Sequence, residues 1–224
     1  MGAGLGLRLA ASGSSVVIGS RDKERAASVA EGLTVAWPDR RLDINGLENS
    51  EAARCDTVVV ATPWEGAVHT VVPLADDLAG RLVVSVGNAL VRNGRELQAV
   101  IPPRGSMAAL LQATLPGSRV AGACHHLPAA ELNDLDTALD CDVLVCSDDP
   151  EAGDATMRML SAIEGLRPLY AGSLASASAI EAFTAVLVTL NVRYRAHTTL
   201  KIAGIPESHI EQPRIPHPHG ERAR

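Results

Sequence analysis

The sequence has almost no aromatic residues: one Phe, two Tyr and two Trp in 224 positions. That scarcity argues against a nucleic-acid binder that works by base stacking. It also requires an aliphatic core, built from Ala, Val and Leu. Positive charge is in deficit too, with 20 Lys and Arg against 26 Asp and Glu and a formal net charge of −6. A surface of that sign opposes non-specific attachment to nucleic acid or anionic membrane, so any anion site must be local. Only four cysteines occur, Cys55, Cys124, Cys141 and Cys146, none in a Cys-x-x-Cys pair and all in or beside apolar runs. They read as reduced core thiols of a cytoplasmic protein, and neither a metal site nor a disulfide framework is expected. No signal sequence is expected, and the most apolar helical stretch, 177–192, is interrupted by Glu181 and reads as too short to span a membrane.

What is present is enough apolar material, 46% of the chain, for one sizeable core with a smaller appendage. Segment 5–12 has helical spacing and stops at Gly13. Short apolar strands are predicted at 16–18, 57–61, 82–86, 119–124, 142–146 and 167–171. Helices are predicted at 22–31, 65–78, 106–115, 152–163 and 176–197, while 34–45 has little pattern. Continuous apolar strands alternating with helices imply a parallel sheet covered on both faces, an α/β doubly wound architecture of the Rossmann type. The expected division is a nucleotide-binding domain at 1–150, a small mainly helical C-terminal part at 151–204 and a disordered tail at 205–224. His217 and His219 in that tail form a His-Pro-His that a solvated tail explains better than a metal.

The most informative segment is Val-Val-Ile-Gly-Ser-Arg at 16–21. In dinucleotide-binding folds the end of the second strand meets the adenosine ribose: an acidic residue there accepts from a free 2′-hydroxyl, whereas Arg accommodates a 2′-phosphate. Arg21 therefore selects NADP over NAD. Its planar guanidinium can grip phosphate through two charge-assisted bonds, Ser20 adds a neutral donor, and Arg25 lies one helical turn further on. The glycine-rich turn that should precede such a strand is present only in part. Met1-Gly-Ala-Gly-Leu-Gly supplies the closing glycines, Gly2 and Gly4, where helix and sheet approach too closely for a side chain. The strand that would lead into them is not in the sequence, so the sheet is expected to lack its first strand.

Several pieces in order complete the pattern: Gly-Leu-Gly-Leu-Arg-Leu-Ala at 4–10 before Val-Val-Ile-Gly-Ser-Arg, then Ala-Thr-Pro-Trp-Glu at 61–65 and Ala-Cys-His-His-Leu-Pro-Ala-Ala at 123–130. Cys-Asp-Val-Leu-Val-Cys at 141–146 and Glu-Gly-Leu-Arg-Pro-Leu at 164–169 follow. Together, over residues 2 to about 204, they resemble the F420-dependent NADP reductases. The resemblance implies direct hydride transfer between NADP(H) and the deazaflavin coenzyme F420, and a homodimer. It implies further that Gly2, Ser20, Arg21, Arg25, Thr62, Asn88 and Ala129 serve NADP, and that His125, Leu127 and Leu200 serve the deazaflavin. Members of that family begin about a dozen residues earlier, with a first strand and a Gly-Gly-Thr-Gly turn.

Bland readings stand beside these. Read without the family, His125 is a structural histidine at a strand end. Trp64 walls a pocket or packs beneath a turn. Asp148 and Asp149 before a proline read as a helix cap, and Glu131, Asp134 and Asp136 as an exposed face. Arg193, Arg195 and Lys201 either meet an acidic coenzyme tail or satisfy a helix dipole. Two rival functions stay open: an NADP-dependent reductase of a small imine or keto acid, and a degenerate NADP-binding protein without activity.

Overall fold

The short apolar runs rich in valine become strands, because β-branched side chains fit a pleated surface buried on both faces. The computed structural model describes residues 1–94 and 96–206. Its helices are α1 (Gly2–Ala11), α2 (Lys23–Ala36), α3 (Asn49–Ala52), α4 (Trp64–Val71), α5 (Ala75–Leu78), α6 (Met107–Thr114), α7 (Ala129–Leu132), α8 (Pro150–Ser161) and α9 (Leu174–Tyr194). The strands are β1 (Val16–Ser20), β2 (Ile44–Glu48), β3 (Thr57–Val60), β4 (Leu82–Ser85), β5 (Leu90–Asn93), β6 (Glu96–Ala99), β7 (Arg119–Gly122), β8 (Cys141–Ser147) and β9 (Leu166–Tyr170).

The main sheet has the order β3-β4-β7-β8-β9, and β1 with β2 forms a separate parallel pair. Between β1 and β3 runs a cavity of 740 Å³ lined by both strands along their whole length. Val16, Val17 and Ile18, expected to be buried, are only half-buried because they border it. Leu5 and Leu9 of α1 pack on one face of the main sheet with Leu160 and Ile163. Met107 and Leu111 of α6 cover the other face, together with Ala67 and Val71 of α4. Burying one such Leu completely contributes about 1.5–3 kcal/mol. Helices on both faces make this the doubly wound α/β architecture.

Several expectations need correction. The sheet is mixed, not parallel throughout: β8 runs antiparallel to β7, through the pairs Ala121↔Ser147 and Gly122↔Cys146. The weakly patterned stretch 34–45 contains the end of α2 and leads into β2, whose Gly46 is required because the backbone of Ala26 lies 2.2 Å from where a Cβ would stand. A hairpin, β5 with β6, turns at Gly94 and was not expected. Helix α9 is 21 residues long and apolar enough to cross a membrane, so shortness does not rule out a span. It is instead tied into the domain, with Glu181 and Thr184 buried against neighbouring elements. Of the expected tail, 207–224 lies outside the described residues.

Candidate functional site

At the carboxyl end of β1 the chain turns through Ser20 and Arg21 into α2. The Ser20 hydroxyl accepts the Asp22 amide at 3.2 Å, which leaves its proton to donate elsewhere. The Asp22 carboxylate caps α2 by accepting the amides of Glu24 and Arg25 at 3.0 and 3.1 Å, the role its position predicts. Arg21 and Arg25 are both exposed. Among the described residues neither guanidinium is paired with a carboxylate. Ser20 and Arg21 border a cavity of 250 Å³ with Asn49 and His69, while Ser20, Arg25 and Thr62 border the larger one with Gly2. Gly2 admits no side chain: a Cβ there would lie 2.8 Å from that of Ala61, just past the end of β3.

Strands β3, β4 and β7 run parallel, so the residues after them collect along one edge of the sheet. Here, among the described residues, lie buried polar atoms that make no well-formed hydrogen bond: Thr62 Oγ1, Ser85 Oγ, Asn88 Oδ1 and both ring nitrogens of His125. Buried polar atoms are nearly always paired, and a lost partner costs about 1–3 kcal/mol. Four such residues at the carboxyl edge of a doubly wound sheet mark a place for a polar ligand.

His125 is held by its backbone, while its ring makes no well-formed hydrogen bond and has only the Gly87 backbone as a weak polar neighbour. Cys124 before it adopts the left-handed conformation, with φ of 62°, an uncommon state for a non-glycine residue. The carbonyl of His125 accepts both from Asn88 Nδ2 at 2.7 Å and from Thr184 Oγ1 of α9 at 3.0 Å. Its ring lies over Gly122, where a Cβ would stand 3.1 Å from Nε2. Burial first, and the neighbouring His126 second, push its pKa down to about 3. The imidazole is therefore neutral, with one donor and one acceptor nitrogen. Burial also lowers the pKa of His126, whose Nε2 lies 2.8 Å from the Asp142 carbonyl. In its neutral form that nitrogen must carry the proton, since the carbonyl can only accept.

The C-terminal strap reaches this region from α9. Arg195 ends the helix in the left-handed conformation, with φ of 54°, and the chain returns along β8. There Leu200 accepts the Asp142 amide at 2.8 Å. Leu127 is buried, Leu200 half-buried and Ala129 exposed at the start of α7. Arg8 fastens α7 to α1 by donating to the carbonyls of Glu131, Asp134 and Thr137. The structure thus brings His125, Asn88 and Thr184 into direct contact, and places Leu127, Leu200 and Ala129 on the adjoining segments.

Sequence reasoning missed Ser85, Asp142, Thr184 and Glu181. Each is a polar residue inside an apolar run, and that interruption was the available signal. Other candidates resolve into structure. Asp149 caps α8 through the Ala152 amide, and Asp148 accepts the Leu174 amide at the start of α9. Trp64 donates to the Leu90 carbonyl at 3.1 Å. Glu131 meets His197, Asp136 meets Arg40 and Lys201 meets Asp140. Burial pushes the pKa of Cys124 and Cys146 up to about 12 and that of Cys141 up to about 11. These thiols are not nucleophiles near neutral pH.

A doubly wound sheet with unpartnered polar atoms along its carboxyl edge is the frame of a Rossmann-like oxidoreductase. More narrowly, the chain belongs to the F420-dependent NADP reductases. Residues 1–89 match the family described as "NADP oxidoreductase coenzyme F420-dependent". It is 37% identical over 203 residues to the F420-dependent NADP reductase of Methanocaldococcus jannaschii, an alignment covering 88% of this chain and 91% of that one. With the enzyme of the same name from Methanothermobacter marburgensis it shares 30% identity over 212 residues, covering 92% and 95% of the two chains. The fold is that of a crystal structure from Arthrobacter sp. FB24, provisionally described as an F420-dependent NADP reductase. The two superpose with a TM-score of 0.75 at 22% identity, over 90% of this chain and 96% of that one.

Proposed function

We propose that this chain passes a hydride directly between NADP(H) and coenzyme F420, and that it acts by holding the two in register. The observation that carries the reading is the row of buried, unpartnered polar atoms at Thr62, Ser85, Asn88 and His125, set beside the Ser20–Arg21 turn. When bound, NADP(H) and F420 supply the hydride donor and acceptor. The protein's contribution is proximity and orientation, which reduce the entropic cost of bringing two reactants together.

Ser20, Arg21 and Arg25 hold the 2′-phosphate, while Gly2 keeps the start of α1 close to the sheet beneath the dinucleotide. Thr62, Asn88 and Ala129 line the remainder of NADP. His125 donates and accepts as a neutral imidazole toward the deazaflavin, and Leu127 and Leu200 exclude water around it. The division of labour follows the chain: 1–150 binds the nucleotide, and 151–204 completes the deazaflavin side. Phe183, Val186 and Tyr194 lie exposed on α9 at spacings that form one stripe, which suits the interface of a homodimer. The buried thiols fit a cytoplasmic setting, and the acidic surface fits small-molecule partners without nucleic acid or membrane.

The test mixes the protein with NADPH and oxidised F420 and follows loss of the deazaflavin absorption. Turnover is expected. NADPH binding shown by calorimetry, without turnover, would sink the reading.

A further inference from the structure

We infer that Thr184 of α9 is a positioning residue: its hydroxyl, acting on the His125 carbonyl, sets the direction in which the His125 ring points at the carboxyl edge of the sheet. The inference rests on the reading that this ring meets the deazaflavin, and it adds the group that aims it. A threonine inside a helix has two usual outlets for its hydroxyl, solvent or the carbonyl four residues back. Thr34, Thr70, Thr114, Thr156 and Thr189 all take the second. Thr184 takes neither. It is 8% exposed and donates to His125, 59 residues away in sequence, at 3.0 Å.

The group it reaches is one that needs holding. Cys124, just before it, has a φ of 62°, a conformation that a side chain adopts only when its surroundings impose it. A carbonyl oxygen has two lone pairs, and that of His125 uses both, accepting from Thr184 and from Asn88 Nδ2 at 2.7 Å. Donors from two separate elements, the loop after β4 and α9, fix the plane of this peptide, to which the His125 Cα–Cβ bond is rigidly joined. The ring has a matching berth. Gly122 and Ser85 are partners in the sheet, and each follows by two residues a valine, Val120 or Val83, that packs with Met107 and Leu111 of α6. Both therefore face α6. A Cβ on Gly122 would stand 3.1 Å from His125 Nε2, 3.0 Å from the Ala108 Cβ and 3.7 Å from the Ala177 Cβ. Ala177, Glu181 and Thr184 form one stripe of α9, and Glu181 fastens that stripe to α6 through the Met107 and Ala108 amides. One helix face thus walls the ring with Ala177 and aims it with Thr184.

The test compares Thr184→Val, which keeps the shape but removes the donor, with Thr184→Ser, which keeps the donor. In the coenzyme-free protein the imidazole resonances of His125, assigned by their absence in His125→Gln, are recorded by NMR. Valine is expected to shift or broaden them, and serine to leave them in place. In turnover of NADPH with F420, valine is expected to lower kcat about tenfold, as small misplacements near the chemistry do, with the KM for NADPH unchanged. Serine should restore most of the loss. If the parent protein does not turn over, the function proposed above fails, and the resonances alone decide the aiming role. Resonances unmoved by valine, or moved equally by valine and serine, overturn the inference. So does a valine variant of an active parent that loses thermal stability but keeps its kcat. Should valine prevent folding, Thr184→Ala removes the same hydroxyl and is read in the same way.

Discussion

The Asp142 carboxylate, wholly buried, accepts two parallel hydrogen bonds from Arg167, Nε and Nη2 each 2.6 Å from one of its oxygens. The Ile202 amide donates to the same carboxylate, and Arg167 donates to the Ile202 carbonyl at 2.8 Å. The backbone of Asp142 binds His126 through its carbonyl and Leu200 through its amide. One aspartate thus ties the loop that carries His125 to the strap that carries Leu200. Burial alone would raise its pKa, but the bonds from Arg167 and Ile202 outweigh burial and hold it below the ordinary carboxylate value. Asp142→Asn removes the buried charge that Arg167 grips, and breaking such a pair costs about 3–5 kcal/mol when it is buried. Partial exposure of Arg167 makes the lower figure the expected one. Thermal or urea denaturation reads the loss. The KM for F420 is expected to rise more than that for NADPH, and equal increases would contradict the positioning role.

Arg21→Ala is expected to weaken NADPH binding by about 1–3 kcal/mol, the range for charged hydrogen bonds, and to leave NADH nearly unchanged. Paired titrations by calorimetry decide it. Equal losses for the two cofactors would show that Arg21 does not read the 2′-phosphate.

The low pKa of His125 gives a pH prediction. In the unfolded chain the imidazole takes its proton near 6.5, whereas in the folded protein it does so only near 3. Between those values the unfolded state binds more protons, so this group makes stability fall as pH drops from 6.5 toward 3. His125→Gln removes this group's share of the slope, which melting temperatures between pH 3 and 4.5 will show as a flatter curve. Because the ring stays neutral above about 3, turnover should not titrate with it between pH 5 and 9. A kinetic pKa near 6.5 that vanishes in His125→Gln would refute the neutral-imidazole assignment.

Glu181 carries the opposite sign. Its oxygens accept the Met107 and Ala108 amides at 2.8 and 3.1 Å, but burial dominates and raises its pKa from 4.5 to about 7. The folded state therefore holds the extra proton, and stability declines as pH rises through 4.5 to 7. Glu181→Gln should remove this group's share of the slope. It should also cost about 1–3 kcal/mol, because one of the two amides loses its acceptor. The two groups offset each other between pH 4.5 and 6.5, so each single variant should show a steeper slope there than the parent protein.

The strands with continuous β-branched runs, β3 and β4, could be read directly, since burial on both faces leaves an unmistakable apolar word. Strand β2 could not. Ile-Asn-Gly-Leu-Glu is half polar because it lies at the outside of its pair, and its glycine answers to the Ala26 backbone, a neighbour far away in sequence. The Leu90–Asn93 and Glu96–Ala99 hairpin hid for a similar reason, being mostly exposed. The reversal of β8 against β7 has no local signature, because an apolar strand reads the same in either direction. The Asp22 cap was legible because its chemistry is local to one turn. The partners of His125 were not, since Asn88 and Thr184 reach its carbonyl from two distant elements.

The scarcity of aromatic residues has an optical consequence. Trp64 opens α4 two residues beyond Thr62, with its indole N–H fixed on the Leu90 carbonyl, while Trp37 lies at the opposite end of α2 from Arg25. Trp37→Phe therefore leaves a single indole emitter, two residues beyond Thr62. Its quenching or energy transfer gives a label-free signal, in which occupancy of the Thr62 end of the cavity can be followed apart from events around Arg25.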